Sequence, residues 1–522
     1  MNKTIDHDTE TVVIIGSGAG GGTLAHELTK QGIACVVLEA GPYLRNEDYM
    51  NLEWEAFNQM AWTDIRTTSG SWRIARDFPN LPAWIVKAVG GTTTHWSGAT
   101  PRFKAHEFRA RSTYGRIDGA NLIDWPISLE DLEPYYTRAE DAMGSTHRGG
   151  RPPLPANNNY KVLAAGADKL GYRHYATGPY GTNAEPYDGR PGSIQDGFNF
   201  QGDKNRSKWS TMVREIPRAL ETGLLDLRPD SHVAQIMHGR DGRVNAVIYV
   251  DADGNLHRQA AKVVCVAGNS IETPRLLHLS SSSMFPDGLA NSSGQVGRNY
   301  MRHTTGSVYA QFDQPVHMYR GETMAGMVSD ESVHNPARGF AGGYYIETIS
   351  LGPAFMASFV EPGAWGPDFT KLLDGYENTA GCWLVGEDMP QESNAITLNS
   401  TVTDQHGLPV ADVHFDDHAN DVAMREHAYK TAEQIYAAVG SVSSHRTPPY
   451  PSTHNLGTCR MSERPEDGVV DKWGRAHDVP NLFISDGSQF TTGAAANPTL
   501  TIVALAIRQA EYLAESLKKG EV

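Results

Sequence analysis

Four residues near the start of the chain, Gly16, Gly18, Gly21 and Glu39, have the types and spacing to hold a dinucleotide. The glycines sit in Val12-Val13-Ile14-Ile15-Gly16-Ser17-Gly18-Ala19-Gly20-Gly21, and Glu39 closes a second apolar run. Gly16 permits a tight turn, Gly18 lets the backbone approach a pyrophosphate, and Gly21 lets a helix lie on the preceding strand. A helix starting near Gly20 turns free N–H groups and a positive dipole end toward the phosphates. A carboxylate about twenty residues on, at Glu39, accepts the ribose hydroxyls and disfavours a 2′-phosphate, which counts against NADP.

The elements that must position these residues are legible as apolar patterns. Val12 to Ile15 and Ile33 to Leu38 read as strands, with a helix between them whose Leu24 and Leu28 face the sheet. Further on, Met212 to Leu220 reads as a helix, and Leu225 to Arg228, Ala246 to Val250 and Lys262 to Ala267 read as strands. The pattern changes after Thr305. Val308 to Phe312, Ala395 to Leu398 and Val410 to Phe415 suggest antiparallel sheet, followed by helical spacing over Asp421 to Val439. From His454 the chain again resembles the nucleotide part. The stretch from His147 to Asp203 is irregular, and reads as a lid, an oligomerisation arm or a surface excursion.

Composition narrows the function classes. The chain has 522 residues, 45 Lys and Arg against 61 Asp and Glu, and a formal net charge of −16. That balance disfavours nucleic acid or an anionic membrane as partner. Mean hydropathy is −0.43, no apolar stretch reaches the length of a membrane span, and the first ten residues lack the pattern of a signal peptide. The four cysteines, Cys35, Cys265, Cys382 and Cys459, form no CxxC pair. A cytoplasmic protein without disulfides is the expectation. No HExxH, Cys/His cluster or GxSxG elbow occurs, so no metal is expected.

Several further motifs follow in one order. They are Gly90-Gly91-Thr92-Thr93-Thr94-His95-Trp96-Ser97-Gly98, Gly268-Asn269-Ser270-Ile271-Glu272-Thr273-Pro274, Val296-Gly297-Arg298-Asn299, His454-Asn455-Leu456-Gly457-Thr458-Cys459-Arg460-Met461, Asp486-Gly487-Ser488 and Asn497-Pro498-Thr499. Across nearly the whole chain this order resembles the glucose-methanol-choline (GMC) family of FAD oxidoreductases. The Thr-His-Trp element and the His…Asn ending are most similar to pyranose oxidases and bacterial glycoside 3-oxidases.

The resemblance implies an α/β fold. It has a Rossmann-like FAD-binding domain (residues 11–105, 206–304 and 450–520), a loop- and lid-rich insertion (106–205) and a substrate-binding domain with antiparallel sheet (305–449). It implies FAD as cofactor, with Thr94, His95, Trp96 and Ser97 beside the flavin and His95 a candidate for covalent attachment. His454 matches the catalytic base, which removes a hydroxyl proton as hydride leaves carbon. Asn497 matches its partner, an amide that binds the substrate oxygen without taking its proton. Pro498 and Thr499 open a helix aimed at the flavin, with Leu500, Val503, Ala504, Ile507 and Ala510 at helical spacing. Asp486 and Gly487 imply contacts to the ribityl-pyrophosphate, and Val233 a backbone contact to adenine.

The implied activity is oxidation of a secondary ring hydroxyl, at carbon 3 or carbon 2, of a pyranose or glycoside, with O2 or a quinone as acceptor. The chain departs from the family pattern at Asn269, where a small Gly is usual, at Ser280-Ser281, and at Asn199 to Asn205, where membrane-bound relatives carry a cysteine-bearing loop. Trp54, Trp62, Trp72 and Trp84, among Arg66, Arg73 and Arg76, read either as a substrate cover or as packing. A quinone- or dye-dependent sugar dehydrogenase, a flavin-containing hydroxynitrile lyase and a non-catalytic FAD-binding protein are the rival readings.

Overall fold

The computed structural model describes residues 4–522 apart from 51, 58, 72–82, 198, 200–201, 354–355, 357–359 and 450–451. The glycine-rich turn sits where the strand Ile5–Ile15 meets the helix Ala19–Lys30. That strand lies between two parallel neighbours, Cys35–Leu38 on one side (Val12 opposite Cys35) and Leu256–Val266 on the other (Ile14 opposite Cys265). Alternation then divides its side chains. Val12 and Ile14 pack with Leu24 and Leu28 of the helix, while Val13 and Ile15 face the other way. Leu225–Arg228, Leu482–Ile484 and the antiparallel strands Val244–Val250 and His232–His238 complete a seven-stranded sheet. The carboxyl ends of its parallel strands open into a cleft, the position where such sheets bind nucleotides.

A second, antiparallel sheet of six strands runs Ser443–Arg446, Thr304–Gln311, Thr379–Gly386, Tyr344–Thr348, Met327–Val328 and Tyr175–Ala176. Its central strands are buried, Gln311 at the end of Thr304–Gln311 excepted. The helix Ala419–Ala438 packs on it through Met424, Ala428, Ala432 and Ile435.

The His147 to Asp203 stretch is more ordered than its composition suggests. It contains a helix, Asn158–Lys169, and the edge strand Tyr175–Ala176. The helix begins as soon as the prolines end, capped by Asn157, whose side chain accepts from the Tyr160 amide at 2.9 Å. Asn159 anchors it to the second sheet, donating to Gly381 O at 3.0 Å and accepting from Gly381 N at 2.9 Å. Proline and glycine at its borders hide this helix from a periodicity reading.

The hairpin formed by Ala395–Thr403 and Pro409–Phe415 docks on the nucleotide side, not on the second sheet. Ile396, Val413 and Phe415 share a cluster with Ile271, and Arg275 donates to Pro409 O at 2.8 Å and to Asp404 at 2.6 Å. Cys35, Cys265, Cys382 and Cys459 are all free and buried. Among the described residues no helix is long and apolar enough to cross a membrane, and no cluster of His, Cys, Asp or Glu could hold a metal ion.

Candidate active site

One continuous cavity runs from the glycine turn to the second sheet. Gly16, Gly18, Glu39, His95, Trp96, Ser97, Val233, Asp486, Gly487, Pro498 and Thr499 line it, as do His454 and Asn497. Two residues expected at the cofactor do not. Gly21 packs behind the turn, where a Cβ would lie 2.0 Å from Gly16 O. Thr94, between the lining residues Thr93 and His95, turns its side chain away from the cavity. Its hydroxyl meets Gly91 O and His95 Nδ1, each at 2.8 Å, so it orients the histidine.

At the nucleotide end the chain satisfies its own polar groups. Gly16 has φ +96°, open only to glycine at little cost. Gly20 touches the returning chain so closely that a Cβ would fall 1.5 Å from Ser485 O. Glu39 accepts from Ser17 N at 3.0 Å, Ser17 Oγ at 2.7 Å and Gly41 N at 3.1 Å. Burial pushes its carboxyl upward and these donors pull it back. Asp486 accepts from Asn269 N (2.8 Å), Thr273 Oγ1 (2.6 Å) and Ser488 N (2.8 Å), tying the second βα turn to the last one. Asn269 itself has φ +77°, which explains why Asn can stand where Gly is usual, since Asn tolerates this region. Its side chain accepts from Ile271 N at 2.8 Å and Glu272 N at 3.2 Å in the first turn of the helix Asn269–Leu279.

These features fit FAD. The helix Ala19–Lys30 has no side-chain cap and no acid in its first turn, so its leading N–H groups face the cleft. A Cβ on Gly18 would meet only Gly91 Cα at 3.8 Å and Gly90 O at 4.0 Å, both ordinary contacts, so the turn is open on its cavity side. Glu39 lines the same end of the cavity as Ser231, His232 and Val233.

His95 is fully buried and its pKa is lowered by burial to about 3, so the ring is neutral. Gln59 donates to Asp48 O at 2.7 Å, which turns its carbonyl oxygen onto His95 Nε2 at 2.9 Å. Trp96 donates to Trp209 O at 2.9 Å, and Lys208 Nζ donates to Trp96 O at 2.5 Å.

His454 is set by a residue the sequence reading missed. His303 Nε2 lies 3.0 Å from Gly493 O, a group that only accepts, so this nitrogen carries the hydrogen. His303 is buried and held neutral, which leaves its Nδ1 an acceptor. His454 Nδ1, 2.9 Å away, must then donate. The remaining nitrogen, His454 Nε2, keeps a free lone pair, and no described residue bonds to it. Burial first, and His303 second, hold the His454 pKa well below the ordinary imidazole value.

Around these two groups the second sheet contributes Trp383, and the segments that flank its strands Met327–Val328 and Tyr344–Thr348 contribute Thr323, Met324, Ile349 and Leu351. No charged side chain comes from this side among the described residues. Thr323 Oγ1, Trp383 Nε1, Asn497 Oδ1 and Glu347 Oε1 are buried without a partner. His303 and Glu347 lie in segments with no motif to announce them. Trp84 lines the cavity. Trp72, Arg73 and Arg76 lie outside the described residues, as do the side chains of Trp54 and Trp62.

The chain matches the profile of GMC oxidoreductases over residues 58–305 and 390–506, and that of an FAD binding domain over 11–49. It is 34% identical to a 2-methyl-1,2-propanediol dehydrogenase of Mycolicibacterium austroafricanum, covering 98% of this chain and 96% of that one. It is 28% identical to the fructose dehydrogenase large subunit of Gluconobacter japonicus (99% and 100%). Identity to the C-glycoside 3-oxidase of Arthrobacter globiformis is 25% (97% and 95%). The fold is similar to the crystal structure of a pyridoxine 4-oxidase from Mesorbium loti, with a TM-score of 0.67 at 18% identity over 97% of this chain and 99% of that one.

Proposed function

The chain belongs to the GMC oxidoreductase family, and on that premise we propose that it oxidises the carbinol of a small, neutral alcohol or diol to a carbonyl. One observation carries this reading. His454, with its Nε2 lone pair free, shares a cavity with Asn497 and with the glycine turn and Glu39.

FAD, when bound, supplies the two-electron acceptor for the carbinol C–H. His454 Nε2 takes the hydroxyl proton, while its Nδ1–H stays on His303 and keeps the ring in place. Asn497 holds the substrate oxygen. The helix Thr499–Lys519 starts beside it with no acid in its first turn, so its positive end faces the reacting groups. Met324, Ile349, Leu351 and Trp383 exclude water and favour an apolar substrate body.

Oxidation of a ring hydroxyl at carbon 3 or carbon 2 of a glycoside is the second reading. The Thr-His-Trp element and the likeness to a C-glycoside 3-oxidase favour it. The apolar substrate end favours the smaller alcohol. We extend the proposal to His95 as a point of flavin attachment, because its buried, neutral ring lines the cavity.

Anaerobic mixing of the flavoprotein with short diols, primary and secondary alcohols, sugars and O- and C-glycosides tests the function. Bleaching by the small diols with formation of a carbonyl product is expected, and bleaching by glycosides alone would replace this reading with the second. No bleaching by any alcohol, with FAD bound, would point to lyase chemistry. Oxygen uptake compared with dye reduction assigns the acceptor. Acid precipitation should leave the yellow colour in the pellet, and colour in the supernatant would remove the His95 bond.

A further inference from the structure

Glu347 has no place in the chemistry above, yet it touches a residue that does. It stands in the strand Tyr344–Thr348, fully buried, one side-chain contact away from the cavity. Asn497 Nδ2 lies 3.4 Å from Glu347 Oε2, at the long limit of a hydrogen bond. Two oxygens are left over, Glu347 Oε1 and Asn497 Oδ1, both buried without a partner. The titratable groups that face the carboxyl are Tyr180, from the segment after Tyr175–Ala176, and Tyr345 on its own strand. No cation is among the influences on it. A carboxylate with one distant donor and no cation is costly in such a place, whereas a carboxylic acid is not.

An acid needs an acceptor for its proton. The oxygen and nitrogen of an Asn amide exchange places by a half-turn about the Cβ–Cγ bond, and their assignment follows the hydrogen-bond network. With a carboxylate opposite, the amide donates to it and shows Oδ1 to the cavity. With a carboxylic acid opposite, Oδ1 turns to accept the acid proton and the N–H faces the cavity. The second arrangement gives Asn497 Oδ1 a donor and leaves Glu347 Oε1 as the uncharged carbonyl oxygen of an acid, which is less costly to bury unpaired than a carboxylate oxygen.

We propose that Glu347 is a positioning residue that stays protonated, gives its carboxyl hydrogen to Asn497 Oδ1, and thereby aims the Asn497 N–H at the substrate oxygen. This rests on the alcohol-oxidising role of His454 and Asn497. As His454 Nε2 draws off the hydroxyl proton, negative charge grows on the substrate oxygen. An N–H there stabilises it, while Oδ1 would repel it. Burial pushes the Glu347 carboxyl up to about 8, so the donor arrangement holds through neutral pH and is lost above it.

The test compares E347Q and E347L with the wild-type holoenzyme. Gln keeps a neutral donor for Asn497 Oδ1, and Leu keeps none. E347Q should retain kcat within about threefold, while E347L should lose on the order of 100-fold in kcat, the usual effect of losing one donor to a developing oxyanion. The wild-type kcat profile should fall on the alkaline side above about pH 8, and the E347Q profile should not. Infrared spectra of the resting protein at pH 7 should show the C=O band of a protonated carboxylic acid that disappears in E347Q. Equal collapse of E347Q and E347L, or no such band, overturns the proposal. Should E347L not fold, the band and the E347Q profile still decide. Failure of every alcohol to bleach the flavin would instead overturn the proposed function, and the infrared band would still report on Glu347.

Discussion

The two ends of the cavity are built on opposite principles. At the nucleotide end nearly every polar atom has a partner in the chain. Glu39 has three protein donors and Asp486 draws on two turns and a helix start. At the substrate end polar atoms are few and several lack partners, among them Thr323 Oγ1, Trp383 Nε1 and Asn497 Oδ1. A nucleotide site can be completed in advance because its ligand is constant and meets mainly backbone. A reacting centre must leave donors and acceptors open for a substrate that comes and goes. Substitutions at the first end should therefore change assembly and flavin affinity, and those at the second should change kcat.

The largest effect is expected at Gly20. A Cβ there would fall 1.5 Å from Ser485 O, a backbone atom that cannot step aside. G20A should give no soluble yellow protein, measured by expression and flavin absorbance. A folded, flavin-loaded G20A would show that the contact between first helix and last strand is not what fixes the cleft.

Next comes His454. H454A should retain FAD and lose about 10²- to 10⁴-fold in the rate of anaerobic flavin reduction, the range for a general base. Loss of flavin in this variant would blur the division between the two ends. His303 should have a smaller effect. H303N keeps a residue that tolerates the left-handed backbone at φ +64° but is too short to reach His454 Nδ1. With the tautomer of His454 unfixed, kcat should fall about tenfold. The pH profile gives an independent sign. The base works when neutral, so activity is lost as pH falls through its pKa. In wild type that pKa lies below 6.5, lowered by burial and by His303, so the acid limb should lie below pH 6.5.

The same contrast explains what the sequence could show. The glycine turn, Glu39 and the apolar stripe of the last helix are local, since residues near them along the chain supply their partners and their spacing is a pattern; Asp486 is legible only through its Asp-Gly-Ser motif, because two of its donors, Asn269 N and Thr273 Oγ1, come from more than 200 positions away. Spacing cannot say which way the Thr94 hydroxyl points inside a tight turn. His303 and Glu347 were invisible because their meaning lies in contacts to residues about 150 positions away. The helix Asn158–Lys169 was hidden by flanking prolines, and the docking of the 395–415 hairpin on Arg275 and Ile271 depends on tertiary contact alone.

Glu39 offers the smallest and most discriminating test. Its two oxygens take the Ser17 amide and hydroxyl on one side and the Gly41 amide on the other. In E39Q the side chain keeps one acceptor oxygen, so at least one of these donors, or a ribose hydroxyl, must face an N–H instead. That mismatch costs about 1 kcal/mol once the relief of a buried charge is set against it. The dissociation constant for FAD should rise about fivefold, which corresponds to that energy. With FAD saturating, kcat should not change, because Glu39 lies at the ribose end of the cavity, away from His454 and Asn497. A fall in kcat at full occupancy would mean that the two ends are mechanically coupled. The Ser17 hydroxyl, which also accepts from Gly90 N at 3.0 Å, would be the first link to examine, since Gly90 opens the turn that carries His95.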